Sequence, residues 1–467
     1  MRRSFVPVAA ALLAATPALP ALAGGGTSIT LSPANSIQAA VNSGLYSEIV
    51  LSPGVYNQVV DFNGEPITIR STDPDDPAVV AATVIDGSDL GTSVLIFDDF
   101  EDNDTRVVGV TITGGEAFGS SPDDRGGGIR CFPGSPTIDR CVIEGNAASG
   151  FGGGIYLGGG EDVPPQFLDL TIRDNVADQG GGAYLNGSVD FVRPRFILNQ
   201  ATGSRGGGLR HQSGFVTITD GLFDGNSSTT FGGGIYGNAS RFTILRTTFI
   251  ENLSERGGGT YVDVNGGEQR IESCLFIRNE ATLTGGAVSV RSPALVVAST
   301  FVGNVSPNAT MVDAEAQSSP TQVVGCIGWQ NVGPTGVGGN GNPTTRYSLI
   351  DGGQAGEGNF DADPLFVDPA NDDYRLQPGS PAIDAGDSLA LLAAEPVDFD
   401  GESRVIDDPA TEDTGVTVFE QTIDVGAFEF RPEPVGGDPT CPEDVDGDGE
   451  IDFSDLLSVL SAFGSCP

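Results

Sequence analysis

Apolar and polar positions along this chain alternate in short runs, as in Ile155-Tyr156-Leu157 and Phe242-Thr243-Ile244-Leu245, with glycine clusters or an asparagine between them. Period-two alternation and enrichment in β-branched residues predict short strands rather than helices, which would carry a 3.6-residue period. The runs recur at a fixed interval. Glycine clusters begin at residues 126, 152, 180, 206, 232 and 257, with a Gly-Gly at 285, a mean spacing of (285 − 126)/6, about 26.5 residues. After each cluster comes an apolar residue three places before an asparagine, at Asn146, Asn175, Asn199, Asn226, Asn252, Asn279 and Asn304. A repeat of this length predicts a solenoid, in which each unit buries its apolar face only against its neighbours. Strands stacked one coil on the next make an all-β parallel β-helix, each coil advancing the stack by roughly 4.8 Å.

Stacking converts positions in the repeat into columns in space. The residue after the glycines forms an inward apolar column, Ile129, Ile155, Ala183, Leu209, Ile235, Thr260 and Ala287. By strand alternation the next residue points outward, giving Arg130, Tyr156, Tyr184, Arg210, Tyr236, Tyr261 and Val288. The third column, Cys131, Leu157, Leu185, His211, Gly237, Val262 and Ser289, points inward again. The asparagines, with Asn331 as a further rung, are expected to supply left-handed corner residues and to hydrogen-bond from coil to coil. Asn226, Asn252 and Asn304 also satisfy N-x-S/T, but an interior position argues against glycosylation. The glycines let the backbone turn and approach the neighbouring coil. Ahead of the repeats, Ser36 to Val41 reads as a short amphipathic capping helix, followed by further strands. Coils from about residue 29 to 350 predict about twelve turns and a rod roughly 60 Å long.

The N-terminal run changes the compartment. Arg2 and Arg3, the apolar stretch to Leu22 and the Ala21-Leu22-Ala23 site predict a signal peptide over 1–23 and an exported chain. No later run is apolar for long enough to span a bilayer. All 22 basic residues are arginine; removing Arg2 and Arg3 leaves 20 against 63 acids, a net charge of −43. Such a surface excludes nucleic acid and anionic lipid as partners, and suits Ca²⁺ or cationic partners or a salty medium. The RGGG strings at Arg125, Arg205 and Arg256 are therefore not an RNA-binding tract.

The stretch SIQAAVNSG…IVLSPGVYNQVVDFNGEPITIRS resembles the N-terminal coils of the right-handed parallel β-helix (pectin-lyase-like) superfamily. The GGxI and FxxN pairing resembles the repeats of polymorphic outer-membrane proteins, and DPLFVDPANDDYRLQPGSPAIDAGD…VDFDGESR…IDVGAFEF resembles the choice-of-anchor segment of bacterial surface proteins. These resemblances imply a right-handed parallel β-helix over 24–350, a cap or anchor-associated segment over 351–430, a linker over 431–440 and a small calcium-loop and helix module over 441–467. They speak to fold and export, while the fold itself hosts lyases, hydrolases and adhesins alike.

The tail module has its own chemistry. Asp444, Asp446, Asp448, Gly449, Glu450, Asp452 and Asp455 occupy positions 1, 3, 5, 6, 7, 9 and 12 of an EF-hand-like loop. Ca²⁺ takes six to eight oxygens, with glycine at 6 for the sharp turn and a carboxylate at 12. The loop and following helix resemble a single dockerin repeat, which implies a cohesin-like or other surface receptor as partner. Cys441 and Cys466 bracket this module and are expected to form a disulfide in an oxidising compartment. Cys141, Cys274 and Cys326 each lie five residues before a ladder asparagine, in one column but too far apart to bridge, and read as buried thiols. Cys131 and Cys141 share a coil, and their pairing is open.

Catalytic candidates are few. The chain has no lysine, and its single histidine, His211, falls in the inward column and reads as packed rather than catalytic. Asp123 and Asp124, with Arg130, are the weak candidates for a Ca²⁺-dependent lyase site, against a plain solvated loop. The column Arg130, Tyr156, Tyr184, Arg210, Tyr236 and Tyr261 could stack on sugar rings and take acidic groups, or could simply stabilise the sheet. The expected function is a binding or structural scaffold of the adhesin kind, in contact with an extracellular polysaccharide or cell-surface component. The alternative is a polysaccharide lyase or glycosidase acting on an acidic polysaccharide.

Overall fold

A computed structural model describes residues 27–159, 163–238, 241–263, 269–315, 320–391, 397–418 and 421–432. The signal peptide, the calcium loop and the Cys441–Cys466 pair expected from sequence lie outside them. The described chain is an all-β parallel solenoid with very little helix. One coil runs through Thr137–Asp139 in sheet A, Val142–Glu144 in sheet B, Ala147–Ala148 in sheet D, the glycines, and Ile155–Leu157 in sheet C. Sheets A, B and C hold 13, 12 and 11 parallel strands, and sheet D, confined to the glycine repeats, holds 7. No described helix is long and apolar enough to cross a membrane.

The first end is closed as the pattern predicted. Helix α1, Ile37–Val41, is capped by the Ser36 hydroxyl accepting from the Ala39 N–H, and Ile37, Ala40 and Val41 seal the core. A second short helix, α2 at Pro77–Ala82, was not anticipated; it has an Asp76 N-cap and Pro77 in its first turn, cues too brief to give a period.

Inside, two ladders set the coil geometry. Each asparagine from Asn146 to Asn304 donates its backbone N–H (2.8–3.2 Å) to the side-chain oxygen of the asparagine one coil on, and Asn331 is the final acceptor. The same oxygen accepts the preceding side-chain amide, whose other proton goes to a backbone carbonyl, as in Asn226 to Phe196 (2.8 Å). Buried amides are therefore satisfied coil by coil, which removes a desolvation cost of about 1–3 kcal/mol per group. The left-handed corner is not made by asparagine, as expected, but by the residue before it, including Asp174 (φ 55°), Leu198 (54°), Glu251 (54°) and Arg278 (50°). The asparagine is thereby left free to point inward and stack. The residue three before each asparagine supplies the second ladder: Phe196, Phe223, Phe249, Phe276 and Phe301 stack with centroids 4.7–5.0 Å apart.

At the glycine corner the first residue of each triplet has positive φ, as in Gly152 (67°), and a Cβ on Gly153 would lie 2.5 Å from the Gly181 carbonyl oxygen of the next coil. Only glycine fits both requirements. In the coil reading Gly285-Gly286-Ala287, alanine stands in the third glycine's place, and its carbonyl accepts from the Thr260 N–H (2.8 Å). Thr260, Tyr261 and Val262 consequently pair with Val288, Ser289 and Val290, so the columns expected to end in Ala287, Val288 and Ser289 are each shifted by one residue.

The corner between sheets A and B carries a further column in the left-handed conformation. Along the bare solenoid it reads Arg140, Asp169, Arg193, Asp220 and Arg246, with Arg193 paired to Asp169 (2.5 Å) and Arg246 to Asp220 (2.7 Å). It then becomes Ser273, Ala298 and Gly325, and there the chain beyond residue 351 folds back. Phe366, Tyr374, Leu376, Ile383 and Phe428 cover Leu275, Ile277, Val302, Ile327 and Leu349 on the outer face of sheet B. Arg404, fully buried, donates to the Ala298 carbonyl (3.3 Å) and pairs with Glu429 (3.5 Å), while the Gly426 N–H reaches Gly325 (2.8 Å). Small corner residues leave room for this docking.

Candidate functional site

The outward column of sheet C meets a second column, the residues just before each glycine cluster: Arg125, Phe151, Gln179, Arg205, Phe231, Arg256 and Thr284. The glycine corner folds the two against each other along the rod. Arg125 lies 5.2 Å from the Tyr156 ring centroid and donates to its hydroxyl (2.8 Å); Arg205 lies 5.0 Å from Tyr236, and Arg210 4.9 Å from Tyr184. Phe151 stacks on Tyr184 and Phe231 packs against Tyr261, both at 4.6 Å. Tyr156, Tyr184, Arg210, Tyr236 and Tyr261 are all buried, Tyr261 to 2% exposure. The column thus points outward as expected but is not the open face that expectation implied. Planar cations alternating with aromatic rings close it, each desolvated cation–π contact contributing up to about 2 kcal/mol. Of the RGGG arginines, Arg125 and Arg205 belong to this packing, and Arg256 pairs instead with Glu315.

At the upstream end, Arg130 does meet Asp123, at 2.8 Å, and also Asp98, at 3.0 Å, while Asp124 pairs with Arg125 (3.3 Å). The guanidinium of Arg130 is held between two carboxylates, and no described basic group stands free beside Asp123 and Asp124. His211 lies between Leu185 and Gly237, fully buried, with Nε2 2.8 Å from the Gly187 carbonyl; desolvation pulls its pKa down to about 4. It is a neutral packing residue. Cys131, Cys141, Cys274 and Cys326 are buried free thiols, and burial pushes Cys141, Cys274 and Cys326 up to about 12. The latter three donate to the carbonyl two residues back, as Thr247 and Ser299 do in the same column.

Downstream of Tyr261 the two columns shrink. The outward residues become Ser289, Asp313 and Gly338, and Thr284 follows Arg256. The groove opens there into a polar cleft of about 680 Å³ lined by Arg256, Thr284, Asn308, Asp313, Glu315 and Asn340, among others. Glu315 receives Arg256 (3.1 Å), Arg291 (3.2 Å) and the Tyr261 hydroxyl (3.5 Å). Asp313 is 6% exposed and accepts from Ser289 (3.4 Å); burial first, then the charge of Glu315, holds its carboxyl above the usual range. Sequence reasoning missed this cleft because small residues mark it rather than a motif.

The repeat model of the Chlamydia polymorphic membrane protein (PMP) family matches residues 220–238, which span one asparagine corner and one glycine corner. The "Probable autotransporter YfaL" of Escherichia coli (strain K12) is 30% identical over 145 residues, 27% of this chain and 12% of that protein. The chain thus matches only about an eighth of that relative's length.

Proposed function

We propose that this chain is an exported, surface-associated β-helix scaffold of the adhesin type, binding an extracellular polysaccharide or cell-surface component. The observation that carries the reading is the division of the sheet C groove, closed by its own side chains over the glycine repeats and, among the described residues, open at the polar cleft around Asp313. Carboxylates, amides and an arginine in an open cleft suit the hydroxyls of a glycan, and the long rigid rod suits presentation away from a membrane. Similarity to PMP repeats and to an autotransporter supports a surface location. The loop Asp444, Asp446, Asp448, Glu450, Asp452 and Asp455 would bind Ca²⁺ as an attachment module for a cohesin-like or other surface receptor, with Cys441 and Cys466 bridged.

One observation favours a glycosidase instead. Asp313, its proton affinity raised by burial, shares the cleft with Glu315, and such enzymes use two carboxyl groups as acid and base. The test is residues 24–467 with Ca²⁺ and a panel of acidic and neutral polysaccharides, read for co-sedimentation and for new sugar ends. Binding without new ends is expected. New reducing ends lost in Asp313→Asn would replace the scaffold by a glycosidase, and new unsaturated ends lost with chelator by a lyase. No binding across the panel would remove the polysaccharide ligand.

A further inference from the structure

The segment folded over sheet B contains a second acidic cluster, unrelated in sequence to the tail loop. Asp384, Asp407 and Asp413 each offer an oxygen, and these oxygens all lie within 4.8 Å of one another. Ca²⁺–oxygen distances of 2.3–2.6 Å place any two ligands of one ion at most about 5 Å apart, so the spacing fits a single ion. Acidic clusters on an acidic surface are common, and proximity alone decides nothing. The deciding feature is Asp384. Its side chain is fully buried, yet neither carboxylate oxygen has a hydrogen-bond partner among the described residues. The Asp408 N–H favours its ionised form without reaching bonding geometry, and Asp407 and Asp413 oppose it. An ionised carboxylate left in this state costs several kcal/mol.

The backbone holds that carboxylate in place. The Asp384 N–H donates to Asp424 Oδ1 (2.8 Å), and its carbonyl accepts from the N–H groups of Thr414 (2.9 Å) and Gly415 (3.1 Å). The loop carrying Asp407 and Asp413 is therefore tied to Asp384 at its C-terminal end. Asp408 is engaged elsewhere, accepting from the Ala410 N–H (3.2 Å) and the Thr411 hydroxyl (2.7 Å). Asp407 and Asp413 are exposed and can turn toward an ion that Asp384 meets from within.

We propose that Asp384, Asp407 and Asp413 bind Ca²⁺, which locks the 405–415 loop onto the segment covering the last coils. The ligand set is all oxygen and carries three negative charges, and its solvent side leaves positions for water, as a hard cation requires. Bound Ca²⁺ supplies the partner that the buried carboxylate lacks.

The test is a calorimetric Ca²⁺ titration of the full exported chain carrying Asp444→Ala and Asp455→Ala, so that the tail loop does not contribute. One Ca²⁺ per chain is expected. Asp384→Asn, and separately Asp407→Asn with Asp413→Asn, should each weaken it by about tenfold or more. Limited proteolysis within 405–415 should slow with Ca²⁺ in the parent and not in either variant. The paired variant changes only exposed side chains, so it decides alone if Asp384→Asn fails to fold. Absence of uptake in the parent, or uptake unchanged in the paired variant, would overturn the site and leave Asp384 as a protonated carboxyl.

Discussion

The groove outside sheet C has two regions built on the same parallel register and opposite in character. Over coils 125–261 the facing columns are arginine, tyrosine and phenylalanine, and they fill the corner with stacked planes. Over coils 284–340 the columns are Thr284, Ser289, Asp313 and Gly338, and the same corner becomes a cleft. Backbone geometry therefore does not decide whether this corner is filled or open. Side-chain size at two positions per coil decides it.

The largest effect should come from breaking the frame both regions share. Asn252→Ala removes four side-chain hydrogen bonds from the buried ladder, two accepted by Oδ1 and two donated by Nδ2. It should cost about 4 kcal/mol, read as a fall in denaturant midpoint at unchanged slope. Opening the sealed region alone should cost less: Tyr236→Ala removes a buried ring stacked on Tyr261 (5.8 Å) and held under Arg205. About 3 kcal/mol is expected by chemical denaturation, with polysaccharide binding unchanged.

A third comparison uses pH. His211 is neutral in the folded chain, with its pKa at about 4 against the ordinary 6.5. The unfolded chain takes up more protons between these values, so this contribution is complete above pH 6.5 and is lost as pH falls toward 4. At pH 5 the loss is about 2 kcal/mol. Acids with raised values, such as Asp313, act in the opposite sense, so the readout is the difference between wild type and His211→Leu. The variant should gain relative stability as pH drops from 7.5 to 5; parallel pH profiles would show that His211 is not buried. The smallest effect on stability should come from Thr284→Phe, which continues the Phe151 and Phe231 column into the cleft. A loss of about 1 kcal/mol is expected, because the buried Thr284 gives up its side-chain hydrogen bond to Asp313.

Much of the fold was legible because a solenoid writes its geometry as spacing. The 26-residue interval, the inward apolar column and the asparagine ladder followed from it. Alanine at 287 broke the register because a glycine count cannot show which residue takes a glycine's place. The tyrosine column was correctly pointed outward, but its burial depends on the angle at the glycine corner, which brings Arg125 and Phe231 over it. The cleft residues carry no motif, and Asp384 meets Asp407 and Asp413 only because the last segment folds back along the rod. Contacts between distant segments are what periodicity cannot supply.

The central claim is that the open cleft, and not the sealed stack, is where this surface meets its ligand. The most direct measurement is co-sedimentation of wild type, Tyr236→Ala and Thr284→Phe with a polysaccharide that the wild type retains. Retention by wild type and Tyr236→Ala, with loss in a folded Thr284→Phe, is the predicted result. Retention by Thr284→Phe together with loss in Tyr236→Ala would place binding on the aromatic column and contradict the account.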